Sequence, residues 1–272
     1  MRSKLASFCR IVAALGLALP ALPLAAAEFK LAATHTLEDS GLLATLIPAF
    51  EAASGVKVRL AIGGTGQVIR LAANGDVDAV MSHVKAQEEQ LVASGAGLKR
   101  HAVAFNDFLI AGPPQDPARI RGLQDAVEVM RRIRAAKARF ISRGDASGTH
   151  VKERELWRAA GLEPRWAGYM SAGVGMGRVL MMAGEMQAYT LSDRATFAAF
   201  RARTGLELLA AGDARLYNEY GVVAVNPARF PGINADAAAR FVSWLTSAEA
   251  QRLIAGFRIG GQQVFFAPAK AR

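Results

Sequence analysis

Short runs of apolar and β-branched residues alternate along the chain with longer segments that carry apolar residues at helical spacing. The short runs predict strands at residues 29–34, 56–62, 78–83, 103–111, 140–143, 188–192, 206–210 and 221–226. The longer segments predict helices at residues 42–53, 68–73, 123–138 and 177–186, a helix that follows Thr149 and runs to Ala160, and two helices within 235–257 that break near Thr246-Ser247. Such alternation predicts an α/β fold with mainly parallel sheets covered by helices.

The first 27 residues form a segment of their own. Three basic residues precede an almost entirely apolar stretch at residues 11–24, which ends in Ala25-Ala26-Ala27. This order is typical of a cleaved secretory signal peptide, and the stretch is shorter than the roughly 20 residues of a membrane span. We therefore predict a signal peptide over residues 1–27 and a periplasmic location. Cys9 lies inside this segment, away from the cleavage site, which argues against a lipoprotein anchor.

Composition narrows the classes of function. The 272 residues are 52% hydrophobic, enough for a core, and they include one cysteine and four scattered histidines. This excludes a disulfide scaffold and argues against a metal site. The net charge is +10, which favours small anions, but no aromatic-rich basic motif indicates nucleic-acid binding. We predict no nucleic-acid partner, no metal ligands and no cofactor.

Four loops place hydroxyl or glycine residues directly before a predicted helix. They are Thr34-His35-Thr36, Gly63-Gly64-Thr65-Gly66, residues 142–149 and residues 171–176. A helix N-terminus offers unsatisfied amide donors and about half a positive charge, and glycine lets a ligand approach the backbone. Gathered in one cleft, such loops would bind an anion, and Arg143 would add a permanent cation with paired donors. Taken singly, each is as well explained as a cap or a turn.

The third loop carries the most specific motif. Residues 142–150, followed by Glu155-Leu156-Trp157, resemble the TupA-type tungstate-binding proteins, the periplasmic solute receptors of tungstate ABC importers. Similar segments continue in order through nearly the whole mature chain, at residues 39–43, 64–66, 106–108, 173–176, 188–194, 241–245 and 251–255.

The resemblance implies a type II periplasmic-binding-protein fold, in which two α/β lobes are joined by two crossing strands with the ligand cleft between them. Residues 103–111 and 221–226 are the expected crossings. The first lobe would comprise residues 28–107 and 222–272, and the second lobe residues 108–221.

The resemblance also implies the ligand-binding residues. Arg143 matches the oxyanion-binding arginine of the family, and its loop would add donors from Ser147, Gly148 and Thr149. The first lobe would present donors from Gly64, Thr65 and Gly66. The second lobe, which contains Arg143, would also present backbone amides from Gly173, Val174 and Gly175. Asp145 is expected either to orient Arg143 or to hold the loop in its conformation.

The first loop departs from the family pattern. Where the family has Thr-Thr-Thr-Ser, this chain has Ala33-Thr34-His35-Thr36. Thr34 and Thr36 keep hydroxyl groups for the ligand, whereas Ala33 and His35 do not conform, which leaves the identity of the oxyanion open. His35 is either a hydrogen-bond donor, favouring a dianion when protonated, or a packed or solvent-facing residue.

We expect a monomeric receptor, without catalysis, that closes its lobes around one tetrahedral oxyanion and delivers it to a membrane ABC permease. The sequence does not distinguish tungstate from molybdate as the ligand. Phosphate is an alternative, because Asp145 would accept the proton of hydrogen phosphate, and vanadate is another.

A serine hydrolase is the alternative from a different class. Residues 144–148 lack the Gly-x-Ser-x-Gly elbow of such enzymes, and capping explains Ser147 more simply.

Overall fold

The computed structural model describes residues 28–268, so the predicted signal peptide lies outside the described residues. The strands are β1 (Glu28–Thr34), β2 (Lys57–Gly63), β3 (Ala79–Ser82), β4 (Gly97–Gly112), β5 (Phe140–Ser142), β6 (Tyr169–Ser171), β7 (Thr190–Asp193), β8 (Glu207–Ala210), β9 (Tyr217–Val225), β10 (Arg258–Ile259) and β11 (Gln262–Gln263). The helices are α1 (His35–Asp39), α2 (Leu42–Ser54), α3 (Thr65–Asn74), α4 (Lys85–Ala93), α5 (Ala126–Ala135), α6 (Gly148–Ala159), α7 (Met176–Met186), α8 (Arg194–Thr204), α9 (Ala235–Leu245) and α10 (Ala248–Gly256). Among these helices, none has the length and apolar character needed to cross a bilayer.

The first lobe is built on β1, which pairs in parallel with β2 on one side and β3 on the other. One face of this sheet carries a cluster of aromatic rings: Phe29 from β1 and Phe50 from α2 lie with their ring centroids 4.9 and 5.0 Å from that of Phe241 in α9. The other face is covered by α3 and α4, which contribute Val68 and Leu91 to a second buried cluster. The helices therefore sandwich the sheet and hold the ends of its strands in place.

The second lobe has its own core. Strand β4 pairs antiparallel with β7 and β8, and β5 pairs in parallel with β6. The amide of Ile141 in β5 donates to the carbonyl of Tyr189, just before β7. Helices α5 and α6 pack around Phe140 and Trp157, while α7 and α8 form a separate cluster that includes Leu180.

Two long strands connect the lobes. Strand β4 has 16 residues, and at about 3.4 Å per residue it is long enough to serve two sheets. Its first part pairs with β9 as far as Asp107 opposite Tyr217, and its last part, from Phe108, pairs with β7. Strand β9 in turn pairs with β3. The boundaries between the lobes at residues 107/108 and 221/222 stay a prediction.

The expectation of mainly parallel sheets is wrong in part. The pairs β1–β2, β1–β3 and β5–β6 are parallel, whereas β3–β9, β4–β9, β4–β7 and β4–β8 are antiparallel. Antiparallel pairing arises because the two crossing strands run in opposite directions between the lobes. The crossings are also longer than residues 103–111 and 221–226, since they occupy Gly97–Gly112 and Tyr217–Val225.

Local capping explains where the helices begin and end. The break in the C-terminal helical segment is confirmed: Ser247 caps α10 by accepting from the Ala250 amide. Helices α2 and α3 end at the C-caps Gly55 and Gly75, with φ angles of 70° and 77° that glycine adopts without strain. The helix expected at 123–138 starts later, because the Asp125 side chain accepts from Val127 N at 2.9 Å. Helices α1, α4 and α8 and strand β6 were not anticipated.

Candidate functional site

The four hydroxyl- and glycine-containing loops lie at one junction between the lobes. In the first lobe, Thr34 ends β1 and His35 and Thr36 open α1, while Gly64 caps α3 and Thr65 and Gly66 lie in its first turn. In the second lobe, Ser147 caps α6 and Gly148 and Thr149 lie in its first turn. Also in the second lobe, Gly173 and Val174 lead into Gly175, which caps α7. Two hydrogen bonds join the loops across the junction. Gly148 N donates to Thr65 Oγ1 at 3.1 Å, and Gly177 N donates to Asp39 Oδ2 at 3.2 Å.

Arg143 follows β5 and is almost completely enclosed, with 1% of its surface exposed. Its Nη2 donates to a carboxylate oxygen of Asp145, while Nε and Nη1 are buried without a partner within residues 28–268. Asp145 also accepts from Ser147 N at 3.1 Å. Asp145 therefore engages Nη2, and two nitrogens of a buried cation, Nε and Nη1, are left to donate.

The carboxyl group of Asp145 stays ionised beside that cation. Burial raises the pKa of Asp145, but the Arg143 charge and the hydrogen bonds with Ser147 and Arg143 outweigh it, so that the pKa lies below its usual value. Between these residues, Gly144 has a φ of 63°, and a Cβ there would overlap the Ser171 side chain. The tight course of this loop therefore requires glycine.

The first turn of α6 contributes two hydroxyl groups. Ser147 Oγ accepts from His150 N at 3.4 Å as the N-cap. Thr149 is fully buried, and its Oγ1 has no partner within the described residues. His150 Nδ1 accepts from Ala146 N at 3.0 Å, so the ring is engaged with the loop backbone rather than with the Ser147 hydroxyl. This geometry lacks the nucleophile–base hydrogen bond that a serine hydrolase needs.

The first loop divides into an inner and an outer part. Thr34 and Thr36 are buried, and their hydroxyl oxygens lie 3.1 Å apart. The His35 side chain is 37% exposed, with Nδ1 3.8 Å from Glu38, and a Cβ on Gly175 would lie 3.9 Å from its ring. His35 is thus at the rim of the junction, next to the loop that opens α7.

A second histidine, which sequence reasoning missed, occupies the inner position. His83 directly follows β3; its Nε2 lies 3.3 Å from Thr36 Oγ1 and its Nδ1 lies 2.9 Å from Asn218 Oδ1. Its ring stacks on Tyr220 with centroids 5.1 Å apart. Burial lowers the pKa of His83 to about 4; the hydrogen bond to Asn218 opposes this shift and the Arg143 charge adds to it. The imidazole is therefore neutral at pH 7.

Two carboxyl groups at the junction were also missed. Asp39, at the end of α1, accepts from α7 of the other lobe through Gly177 N. Asp193 is fully buried at the start of α8, where Oδ1 accepts from Thr196 N at 2.9 Å. Burial raises the pKa of Asp193 to about 6, while hydrogen bonding to Thr196 opposes the shift. The sequence gives no sign of this group, because an Asp at a helix N-cap is common.

A cleft of about 860 Å³ opens from the junction to the surface. Its wall includes His35, Gly64, Gly66, Asp145, Gly173, Val174 and Gly175. Three exposed arginines, Arg70, Arg178 and Arg203, also line it, and their positive field favours the approach of anions. Within residues 28–268, His, Cys, Asp and Glu form no group of three or more that could hold a metal ion.

Comparisons with known proteins agree with this architecture. A family model described as a PBP superfamily domain matches residues 23–249. The tungstate-binding protein TupA of Peptoclostridium acidaminophilum is 43% identical over 240 residues, which are 88% of this chain and 83% of that protein. The TupA of Campylobacter jejuni is 33% identical over 242 residues, covering 86% of this chain and 89% of that protein.

Solved structures give the same result. One described as the tungstate ABC transporter from Geobacter sulfurreducens has a TM-score of 0.79 and 44% identity, covering 85% of this chain and 98% of that chain. The TupA structure from Desulfovibrio alaskensis has a TM-score of 0.77 and 35% identity, covering 90% of this chain and the whole of that chain. Sequence, fold and the arrangement of the loops together place the protein in the PBP superfamily, as a member of the TupA family of ABC-transporter solute-binding proteins.

Proposed function

We propose that the protein captures tungstate, or the closely similar molybdate, between its lobes and delivers it to a membrane ABC permease. The observation that carries this proposal is the enclosed guanidinium of Arg143, whose Nε and Nη1 have no partner in the part of the chain that the structure describes. Burying a cation is costly unless it is paired and hydrogen-bonded. Asp145 supplies one negative charge and one acceptor, and an oxyanion in contact with Arg143 supplies the acceptors that Nε and Nη1 lack, since the planar guanidinium suits two oxygens of one ligand.

The other groups proposed for the site are donors from three helix N-termini. The Thr149 hydroxyl is buried without a partner among residues 28–268. The amides of Ser147 and Gly148 already donate to Asp145 and to Thr65 Oγ1, so these two residues contribute the dipole of α6 to the proposed site. Helix α3 presents Gly64, Thr65 and Gly66 from the first lobe, and α7 presents Val174 and Gly175 from the second. The neighbouring Gly173 amide donates to the Arg143 carbonyl at 2.8 Å and so fixes the loop beside them. Helix N-termini favour anions through their free amides and their dipoles. Thr34 and Thr36 form the inner wall, and His35 lies at the entrance.

The proton content of the ligand favours tungstate or molybdate over phosphate. Hydrogen phosphate carries one proton and needs an acceptor in the site. The two oxygens of Asp145 accept from Arg143 Nη2 and from Ser147 N, so this carboxylate holds the arginine and the loop in place. A fully deprotonated dianion needs only donors, which the loops supply. The names of the relatives from Peptoclostridium, Campylobacter and Desulfovibrio support tungstate as the ligand.

The remaining parts of the proposal follow from this transport role. The signal peptide at residues 1–27 would direct the chain to the periplasm, where it would act as a monomer without catalytic activity. Closure of the lobes would bury the anion and create the surface that the permease recognises. No covalent step and no cofactor are required.

Isothermal titration calorimetry on residues 28–272 tests the ligand directly. Tungstate, molybdate, vanadate, phosphate and sulfate are titrated separately at constant ionic strength. We expect one site per chain and the lowest Kd for tungstate or molybdate. Heat with phosphate alone, or with none of the five anions, contradicts the proposal.

A substitution pair tests the role of Arg143. Charged hydrogen bonds contribute about 1.5–3 kcal/mol each, so loss of two in Arg143→Gln weakens binding by a factor of at least about 100. The matched control is Arg165→Gln, since Arg165 is an exposed arginine of the same lobe and is expected to leave Kd unchanged. An unchanged Kd for Arg143→Gln removes this residue from the site.

A further inference from the structure

His83 is in contact with both lobes and with both crossing strands. It follows β3 of the first lobe and lies beside Thr36 of the first loop. Its ring stacks on Tyr220 of β9 and lies 6.0 Å, centroid to centroid, from Phe108 of β4. From the second lobe, Gly148 approaches so closely that a Cβ on it would be 2.6 Å from His83 Cε1.

The direction of its hydrogen bonds follows from the neighbouring amides. Asn218 Nδ2 donates to Asn106 Oδ1 at 2.8 Å and lies 3.1 Å from the Tyr220 hydroxyl. The nitrogen of this amide is therefore committed, and its oxygen faces His83 Nδ1 at 2.9 Å. An amide oxygen only accepts, so Nδ1 carries the proton of the neutral ring and Nε2 is the acceptor. The partner of Nε2 is the Thr36 hydroxyl, which must donate.

From this geometry we propose that His83 is a positioning residue for anion capture, held as the Nδ1–H tautomer by Asn218 and fixing the direction of the Thr36 hydroxyl. His83 contacts the crossing strand β9 through Asn218 and Tyr220 and the first loop through Thr36, so it holds the first loop at a fixed position relative to that strand. It also forms the surface that Gly148 contacts when the lobes close. The inference rests on the proposed function, because it concerns how the same site binds its oxyanion.

One consequence concerns the role of Thr36. A hydroxyl has one proton, and in this arrangement the Thr36 proton points to His83 Nε2. The Thr36 oxygen then accepts from Thr34, whose hydroxyl lies 3.1 Å away. Thr36 thus supports the wall of the site rather than donating to the anion, and the anion is held chiefly by Arg143, Thr149 and the helix amides.

The tautomer is measured on the anion-free protein, residues 28–272, by long-range ¹H–¹⁵N correlation of the imidazole nitrogens at pH 7. The His83 resonances are assigned by their loss in His83→Gln. The expected spectrum shows a protonated Nδ1 and an unprotonated Nε2. A protonated Nε2 overturns the inference, because it requires both Asn218 and Asn106 to be turned around. The measurement needs no ligand. It therefore tests the His83 geometry independently of whether the proposed function is right.

Two conservative variants test positioning in the presence of tungstate. His83→Gln keeps an acceptor near the position of Nε2 for Thr36, whereas His83→Asn keeps a donor near the position of Nδ1 for Asn218. Both remove the ring from its stack on Tyr220, so a purely structural role lowers affinity equally in the two. We expect Kd within about threefold of wild type for His83→Gln and at least tenfold weaker for His83→Asn.

The matched control is His101→Gln, since His101 lies on β4 outside the site and is expected to leave Kd unchanged. Equal Kd values for the two His83 variants overturn the positioning role. Absence of binding by the wild-type protein refutes the proposed function instead, and the tautomer measurement then decides the His83 geometry alone.

Discussion

Replacing Gly148 by alanine adds one methyl group at the point where the second lobe meets His83. The new Cβ would lie 2.6, 2.8 and 2.9 Å from three ring atoms of His83. Ordinary contact begins near 3.4 Å, so the lobes must separate by about 0.8 Å. The ring has no room to yield, because it stacks on Tyr220 and is held by Asn218 and Thr36.

The added methyl group raises the free energy of lobe closure and leaves the free energy of folding nearly unchanged. Overpacking of this kind costs about 1–3 kcal/mol, which corresponds to a Kd about 5- to 150-fold higher. The contact joins Gly148 of one lobe to His83 of the other, so the core of neither lobe is disturbed. The melting temperature of the anion-free Gly148→Ala protein is therefore expected to stay near that of wild type.

Calorimetry with tungstate and thermal unfolding without it measure the two quantities separately. Gly256→Ala is the matched control, because Gly256 lies at the end of α10 and a Cβ there would meet nothing within 4 Å. A Kd for Gly148→Ala within twofold of wild type would refute the view that binding requires this contact between the lobes.

Three further outcomes are expected. Thr149→Val removes a buried hydroxyl that has no partner among the described residues; calorimetry should show Kd about tenfold higher with no loss of melting temperature. Asp193→Asn should raise the free energy of unfolding in urea by up to about 3 kcal/mol at pH 8, because burial raises the pKa of Asp193 to about 6; this gain should fade as pH falls from 6 towards 4. His83 has a pKa lowered by burial to about 4, so below pH 6.5 the unfolded chain gains a proton that the folded chain excludes. Wild type should therefore lose up to about 3 kcal/mol between pH 6.5 and 4, and His83→Gln should lack this pH dependence.

Much of the fold follows from local sequence. Most strand and helix patterns, the C-caps at Gly55 and Gly75 and the cap at Ser247 are set by residues within a few positions of one another. The structure has these elements near the predicted positions, although α5 is shorter and the two crossing strands are longer than predicted. Helices α1 and α4 were missed because one has five residues and the other has little amphipathic pattern. The antiparallel crossings were missed because strand direction depends on partners far apart in the chain.

The site shows the same division. The sequence by itself determined the donor-rich loops and the buried arginine motif, because a helix N-terminus and its preceding loop are encoded by contiguous residues. Only the tertiary structure decided that His83, rather than His35, occupies the inner position, since its partners Thr36 and Asn218 are 47 and 135 residues away. It likewise placed Asp39 of one lobe on α7 of the other. Burial and the meeting of the lobes set these roles, and both are produced by long-range packing that no short stretch of residues encodes.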